Sequence, residues 1–195
     1  MRVRTLAPLT LTAALALTGC GITEPAETIT VYAADGLSDV DGGGWLDQLF
    51  EEFEEETGVM VQYVEGGSGE MVQRAERESS NPQADVLLTL PPFIQQADNA
   101  GLLQQYEPEG AEQVSTRDPD GAWTTVVDNY FAFVHNSEEL DEPPETWEDL
   151  LDPEYEGRLQ YSTPGVAGDG TAVLIQAMEQ FGGLEPAMDL SLIHI

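Results

Sequence analysis

The sequence contains no lysine and only six basic residues, all of them arginines. Two of these arginines precede Cys20, so the chain from Cys20 onward sets four arginines against 37 acidic residues, a net charge of −33. Surfaces that bind nucleic acid need clusters of basic side chains to neutralise phosphates. The sequence therefore excludes a nucleic-acid partner and predicts a solvated acidic shell, whose internal repulsion a high-salt environment would screen.

Residues that carry out catalysis are also scarce. Cys20 is the only cysteine, which excludes an internal disulfide, and the only histidines are His135 and His194. No set of nucleophile, base and acid can be assembled from them with any specificity. Pairs such as Asp39 with Asp41 arise by chance in so acidic a chain, so calcium binding and acid–base catalysis gain little support. We expect no enzyme, no metal and no cofactor.

Residues 1–19 have the pattern of a secretory signal peptide. Two arginines precede an apolar run, from Leu6 to Leu17, that is too short for a permanent transmembrane helix. The run ends in Leu-Thr-Gly-Cys, which resembles the bacterial lipobox. We therefore predict cleavage before Cys20, lipid on Cys20 that anchors the protein to the cell membrane on its outer, extracytoplasmic side, and a tether at 20–27.

The first half of the chain alternates two kinds of stretch. Apolar, β-branched stretches predict strands at 28–34, 59–64 and 84–90. Amphipathic stretches predict helices from 45 to a stop at Gly58, from the glycines at 66–69 to about 80, and at 93–100. This alternation predicts an α/β fold with a parallel sheet, and the ligands of such sheets bind beyond the carboxyl ends of the strands.

The second half repeats the unit of strand, small-residue loop and helix. Strands are predicted at 124–127, 130–134 and 158–162, a helix with a threonine cap begins at Thr146, and a loop at 163–171 leads into a helix at 172–181. We expect a first lobe at 28–125, a crossover at 126–137 and the start of a second lobe at 138–189.

Residues 190–195, Leu-Ser-Leu-Ile-His-Ile, lack the acidic character of the sequence before them. They resemble translated sequencing-adapter read-through. We expect this tail to be non-native and the second lobe to be truncated.

Two loop-to-helix junctions are the strongest candidates for a binding site. Gly66-Gly67-Ser68-Gly69 and Gly168-Asp169-Gly170-Thr171 each place unhindered backbone N–H groups at a helix start. Such a start carries about half a positive charge and suits a phosphate-like oxyanion. Either junction alone could equally be an ordinary tight turn capped by Ser68 or Asp169. Two of them, at strand ends in two lobes, favour an anion site.

An anion bound by this chain must overcome the field of the acidic surface. Backbone dipoles can do so because they act over a few ångströms, whereas the surface charge is screened by salt. Arg74 or Arg158 could assist, although arginines of this kind more often pair with surface acids.

Six segments, in this order and spacing, resemble the solute-binding proteins that serve 2-aminoethylphosphonate importers. The resemblance implies a two-lobed, type II periplasmic-binding-protein fold, related to that of ferric-ion-binding proteins, that closes on its ligand. The segments are Thr30–Leu37, Val61–Gly69, Asn81–Leu87, Pro91–Gln95, Leu159–Gly165 and Asp169–Ala172.

The resemblance also implies roles for individual residues. The phosphonate would receive hydrogen bonds from two sets of N–H groups and one added hydroxyl: Gly67, Ser68 and Gly69; Gly168, Gly170 and Thr171; and the hydroxyl of Thr163. The ammonium group would need a carboxylate, first Asp35 and then Glu65 or Asp169. Tyr32, Phe93 and Tyr130 could form walls of the pocket, with core packing the expected role of Tyr130.

On this resemblance the chain is a monomeric lipoprotein that passes a small phosphonate to an ABC permease and its ATPase. Three alternatives stay open: a ferric-ion or other oxyanion binder of the same fold, an anchored phosphonate hydrolase, and a sensor lobe without a transporter. A cluster of metal ligands, or of a nucleophile with its catalytic partners, in the missing part of the second lobe would favour the hydrolase, and residues 20–195 show no such cluster.

Overall fold

The computed structural model describes residues 27–34, 36–38 and 43–193, with only the backbone of 189–193. The predicted signal peptide, Cys20, almost all of the tether, Asp35 and the last two residues lie outside these ranges. The regular elements are β1 (Thr28–Ala34), α1 (Trp45–Thr57), β2 (Met60–Gly66), α2 (Ser68–Arg77), β3 (Val86–Leu88), α3 (Phe93–Asn99), α4 (Gly168–Phe181) and α5 (Leu184–Ile193). Short 3-10 turns lie at Ala111–Gln113, Asp149–Leu151 and Pro153–Tyr155.

The three strands form one parallel sheet in the order β2-β1-β3. The central strand β1 pairs with β2 along its whole length, from Thr28 opposite Met60 to Ala34 opposite Gly66. Its second half is buried because helices cover the sheet on the way from each strand to the next. The predicted α/β fold with a parallel sheet is confirmed for this half of the chain.

Strand β3 is shorter than the predicted 84–90. The carboxylate of Asp85 accepts the N–H of Thr30 at 2.8 Å, and the N–H of Asp85 donates to the carbonyl of Thr30 at 2.9 Å. A side chain thus takes a place in the hydrogen-bond ladder that a backbone carbonyl would fill, and the strand begins only at Val86. At the other end, Pro91 and Pro92 have no N–H to continue the ladder.

Helix α1 begins and ends where the sequence predicted. The carboxylate of Asp47 accepts the N–H of Gly44 at 3.1 Å, which satisfies one donor before the first turn. The helix stops at Gly58, whose positive φ of 74° permits its N–H to bond the carbonyl of Glu54 at 2.9 Å.

The strands predicted at 124–127, 130–134 and 158–162 are wrong. Thr124 forms a single antiparallel bridge with Arg117, and residues 126–135 make no backbone hydrogen bond with any other described residue. Tyr130 is 91% exposed and Val134 is 94% exposed, so the core-packing role expected for Tyr130 is wrong as well. A β-rich composition shows that a segment fits a sheet, but a strand also needs a paired neighbour, and the described residues supply none here.

The regular elements in the rest of the second half are two helices and two 3-10 turns, and this part has its own apolar cluster. Leu150, Ala177 and Ala187 are buried together, and Trp147 and Phe181 pack against them. The hydrogen bond of the predicted threonine cap is present, but it closes a turn before the 3-10 turn Asp149–Leu151 and not a helix: the Thr146 hydroxyl accepts the N–H of Asp149 at 3.2 Å, and the Asp149 carboxylate accepts the N–H of Thr146 at 2.9 Å.

Helix α4 starts four residues earlier than predicted, at Gly168, so that Gly168–Thr171 forms its first turn. Helix α5 includes residues 190–193. The non-native origin of residues 190–195 and the boundaries of the two lobes stay predictions. None of the helices in the described part of the chain is long and apolar enough to cross a membrane.

Candidate oxyanion site at two helix starts

The two glycine-rich junctions come together at the carboxyl end of the sheet. Helix α2 starts at Ser68 directly after β2, and α4 starts at Gly168. A Cβ atom added to Gly168 would lie 2.6 Å from the hydroxyl oxygen of Ser68. The N–H of Gly69 donates to the carbonyl of Val166 at 2.9 Å, two residues before α4. The N-termini of both helices therefore face one small region.

Glycine is required where these segments touch. A Cβ atom on Gly69 would lie 2.6 Å from the carbonyl oxygen of Gly165, and one on Gly170 would overlap the carbonyl oxygen of Ser162. Real Cβ atoms do not approach backbone atoms so closely, so any other residue would push the two segments apart. The glycines that the sequence marked as free donors thus also allow close backbone contact.

Ser68 is the polar residue at the centre of this contact. Its side chain is 0% exposed, and its Oγ has no hydrogen-bond partner within the described residues. Burying a hydroxyl without a partner costs about 1–3 kcal/mol, so such groups are rare unless a ligand or water completes them. The position of this oxygen against Gly168 directs it toward the start of α4.

Free N–H groups surround the same region. In the first turn of α4 the N–H groups of Gly168, Asp169 and Gly170 donate to no described residue, and in α2 the same is true of Ser68 and Glu70. The aligned peptide dipoles place positive partial charge at both helix starts. The arrangement can hold an oxyanion with neutral donors alone.

Two of the predicted donors already have partners. The N–H of Gly69 is bonded to Val166, and the hydroxyl of Thr171 donates to the carbonyl of Ala167 at 2.8 Å and accepts the N–H of Gly165 at 2.8 Å. The N–H of Thr171 also bonds Ala167, at 3.2 Å. The loop before α4 wraps the helix start and satisfies these groups locally, which corrects the donor role predicted for both residues.

The carboxylates considered for an ammonium group occupy different places. Asp169 is exposed at the start of α4, and its carboxylate accepts the hydroxyl of Ser162. The carboxylate of Glu65 accepts the N–H of Gly36 at 2.9 Å and the hydroxyl of Ser38 at 3.3 Å, so it clamps the loop after β1. Asp35 lies outside the described residues.

An open cavity of 1480 Å³ runs along the carboxyl ends of β1 and β3 to the start of α4. Ala34, Leu90, Gly168 and Asp169 lie on its wall. A Cβ atom on Gly168 would meet both the Leu90 side chain, at 2.5 Å, and the Ser68 hydroxyl, at 2.6 Å, so these two side chains lie on the same side of Gly168, and Ser68 is not among the residues that line the cavity. Asp169 therefore faces space large enough for a ligand, beside the helix starts. Thr163, in the loop before α4, is exposed but not among the residues that line this cavity.

The pocket-wall roles predicted for Tyr32 and Phe93 do not fit their positions. Tyr32 is 0% exposed in the central strand. Phe93 is 3% exposed and packs with Val72 and Ala97 beneath the start of α2, where a Cβ atom on Gly69 would lie 2.7 Å from its ring. Both rings belong to the layer between sheet and helices, because a central strand covered on its faces has no side open to a ligand.

A cluster that the sequence analysis missed surrounds Tyr32. The Tyr32 hydroxyl donates to one carboxylate oxygen of Glu78 at 2.7 Å, and the Arg74 guanidinium donates to the other at 3.0 Å. The guanidinium also lies over the Tyr32 ring, 4.5 Å from its centroid. The hydrogen bond from Tyr32 is the largest cause that lowers the pKa of Glu78, and burial raises the pKa of Tyr32.

Arg74 pairs with a carboxylate, Glu78, which is the more common of the two roles expected for this arginine. Arg117 likewise pairs with Glu107, at 3.3 Å. The spacing of four residues between Arg74 and Glu78 on one helix was the available signal in the sequence. Across the described part of the chain, no group of three or more His, Cys, Asp or Glu side chains could hold a metal ion.

Comparison with known proteins agrees with this architecture. A family model of bacterial extracellular solute-binding proteins matches residues 81–192. A Salmonella paratyphi A protein named "Putative 2-aminoethylphosphonate-binding periplasmic protein" is 46% identical over 154 residues, which cover 79% of this chain and 45% of that protein. Iron uptake protein A1 of Synechocystis is 32% identical over 118 residues, 57% of this chain and 32% of that protein.

The solved structure of the periplasmic binding protein AfuA from Actinobacillus pleuropneumoniae, with fructose-6-phosphate bound, matches with a TM-score of 0.70 at 25% identity, covering 85% of this chain and 54% of that one. The periplasmic thiamin binding protein has the same fold, with a TM-score of 0.67 at 23% identity. This match covers 85% of this chain and 52% of that one.

The chain spans about half the length of the curated relatives that it matches, 45% of the Salmonella protein. The resemblance carried by the six segments is confirmed, and the α/β architecture is part of the two-lobed, type II periplasmic-binding-protein fold. The chain belongs to the family of bacterial extracellular solute-binding proteins.

Proposed function

We propose that this chain is the ligand-binding lipoprotein of an ABC importer, that its ligand is 2-aminoethylphosphonate or a similar small phosphonate, and that it is not an enzyme. The observation that carries the proposal is the buried hydroxyl of Ser68 between two helix starts, which has no hydrogen-bond partner among the residues that the structure describes. The name of the Salmonella relative supports the choice of ligand.

The donors at the site suit an oxyanion. One phosphonate oxygen accepts the hydroxyl of Ser68, and the others accept N–H groups from the first turns of α2 and α4, chiefly those of Gly168 and Gly170. These groups are neutral dipoles at short range, so they bind an anion although the chain from Cys20 onward carries a charge of −33.

The amine end of the ligand points toward the cavity. Asp169 lies there, next to the N–H groups of Gly168 and Gly170, and its carboxylate pairs with the ammonium while these N–H groups hold the phosphonate. Because the ligand touches both α2 and α4, its binding favours the arrangement in which they are close. Binding and closure are then one linked equilibrium, and release to a permease and its ATPase requires the segments to separate.

The anchor is the lipid on Cys20. Growth of the expressing bacterium with a labelled fatty acid tests it: the wild-type chain acquires label and sediments with membranes, whereas Cys20→Ser does neither. Label that persists in Cys20→Ser would refute the assignment of this residue.

Isothermal titration of the chain with 2-aminoethylphosphonate, ethylphosphonate, phosphate and ferric citrate tests the ligand. Tighter binding of the aminophosphonate than of ethylphosphonate and phosphate is the expected result, because only the first ligand satisfies both the donors and Asp169. Equal binding of the three would remove the role of Asp169 but keep the oxyanion site. Binding of ferric citrate alone, or of none of them, would overturn the proposed ligand.

A further inference from the structure

The contacts of α2 on its two sides differ in kind. On one side Val72 packs with Phe93 and Ala97, a contact between apolar surfaces. On the other side the helix end is tied to the central strand by the Tyr32–Arg74–Glu78 cluster, in which each carboxylate oxygen of Glu78 accepts one donor. Apolar contacts are non-directional and permit small rotations, whereas hydrogen bonds fix distance and angle.

The cluster and the candidate site lie at opposite ends of one short helix. Ser68 is the first residue of α2, and Glu78 is its C-cap. At 1.5 Å per residue the two are about 15 Å apart along the helix axis. A helix of this length moves as a rigid rod, so a constraint on rotation at Glu78 also sets the direction of the Ser68 hydroxyl and of the first N–H groups.

The contacts of Arg74 also support a constraint on the rotation of α2. Arginines are scarce in a chain of this charge, yet one of them lies over the Tyr32 ring and is held by Glu78 at 3.0 Å. Tyr32 itself is 0% exposed, so its hydroxyl has lost water and depends on Glu78 for a partner. Removing the Glu78 acceptor therefore leaves a buried donor unsatisfied and releases the helix end.

We infer that Tyr32 and Glu78 are positioning residues that, together with Arg74, hold α2 at the rotation in which Ser68 and the helix start meet the ligand. The inference rests on the proposed function for its effect on affinity. It makes a separate claim about the start of α2 that needs no ligand.

Two substitutions test the cluster with little change of shape. Tyr32→Phe removes only the hydroxyl, and Glu78→Gln removes the charge. The matched control is Glu107→Gln, which breaks the Arg117–Glu107 pair outside α2. The full chain is titrated with 2-aminoethylphosphonate, and amide hydrogen exchange is recorded for Gly69, whose N–H bonds the carbonyl of Val166.

Each single variant should lose about fivefold in affinity, the equivalent of one ordinary hydrogen bond. The double variant should lose no more than the larger single loss, since both changes disable one network. Exchange at Gly69 should accelerate about fivefold relative to the amides of β2, because α2 then separates more often from the loop before α4. Glu107→Gln should match wild type in both measurements.

Wild-type affinity and unchanged exchange at Gly69 in Tyr32→Phe would overturn the inference. If exchange in the variants accelerated as much in all three strands as at Gly69, the inference would also be overturned, because the cluster would then contribute only to general stability. If the wild-type chain bound none of the probes, the proposed ligand would fail, and the exchange at Gly69 would by itself decide the inference.

Discussion

Ser68→Ala should raise the stability of the free chain while it weakens ligand binding. The Ser68 side chain is 0% exposed and its hydroxyl is unpartnered within the described residues. Alanine keeps the same carbon atoms and removes the buried oxygen. The free protein should therefore gain about 1–3 kcal/mol, the cost of an unsatisfied buried hydroxyl. For a chain of this size each kcal/mol corresponds to a rise in Tm of about 2–4 °C.

Binding should change in the opposite direction. In the complex the hydroxyl donates to a charged oxygen, and such a bond contributes about 1.5–3 kcal/mol. Its loss should weaken the affinity for 2-aminoethylphosphonate by about 10- to 150-fold. A residue kept for function can carry such a stability cost, whereas a residue kept for folding would show a loss of both properties.

Thermal unfolding without ligand and isothermal titration measure the two effects on one protein sample. Ser115→Ala is the matched control, because it deletes the same atoms from an exposed serine. It should leave both Tm and affinity within error of wild type. A fall in Tm of Ser68→Ala would show that the hydroxyl has a partner in the free protein. Unchanged affinity would remove Ser68 from the site.

Three further predictions concern charge, packing and pH. Affinity for the anion should rise about fivefold from about 0.15 M to about 1 M NaCl in titrations, since repulsion from a charge of −33 at ~20 Å falls from about 2 to about 1 kcal/mol. Gly170→Ala should destabilise the chain by about 1–3 kcal/mol in urea unfolding, because its Cβ overlaps the Ser162 carbonyl; Gly43→Ala, which meets no atom within 4 Å, should not. Asp149→Asn should lower stability near neutral pH but not in strong acid.

The sign of the last effect follows from the N–H groups of Glu145 and Thr146, which lower the pKa of Asp149 below its model-compound value of 3.8. The stabilisation is therefore complete above 3.8 and is lost as the pH falls through the folded-state pKa. Urea unfolding at several pH values measures it against wild type.

Each of these three predictions has a clear contrary result. Affinity that falls steeply with salt would indicate a basic side chain at the anion. Equal stability of Gly170→Ala and Gly43→Ala would show that α4 does not approach Ser162. A stability difference for Asp149→Asn that persists well below pH 3.8 would show that the charge of its carboxylate is not what stabilises the turn.

The local signals in the first half of the sequence were sufficient for its elements. The three strands, the helix stop at Gly58 and the parallel order are local in origin, because a continuous apolar strand that alternates with amphipathic helices has few other ways to bury its residues. The same alternation placed both glycine-rich junctions at helix starts.

Composition misled the prediction where a partner decides the structure. Residues 130–134 have as strong a β-preference as β1, yet they stay unpaired among the described residues. The family resemblance placed Tyr32 and Phe93 on the pocket wall, but a covered central strand and the packing beneath α2 leave them no open face. Pairing and covering depend on residues far away in the chain.

The sequence by itself determined the acidic shell, the strand–helix alternation and the two helix starts with their small residues. Only the tertiary structure decided that these starts meet, that Ser68 is buried with no partner among the described residues, and that Gly69 and Thr171 are already satisfied. The physical reason is range: propensity and charge act between neighbours in sequence, whereas the distance between residues 68 and 168 is set by the packing of everything between them.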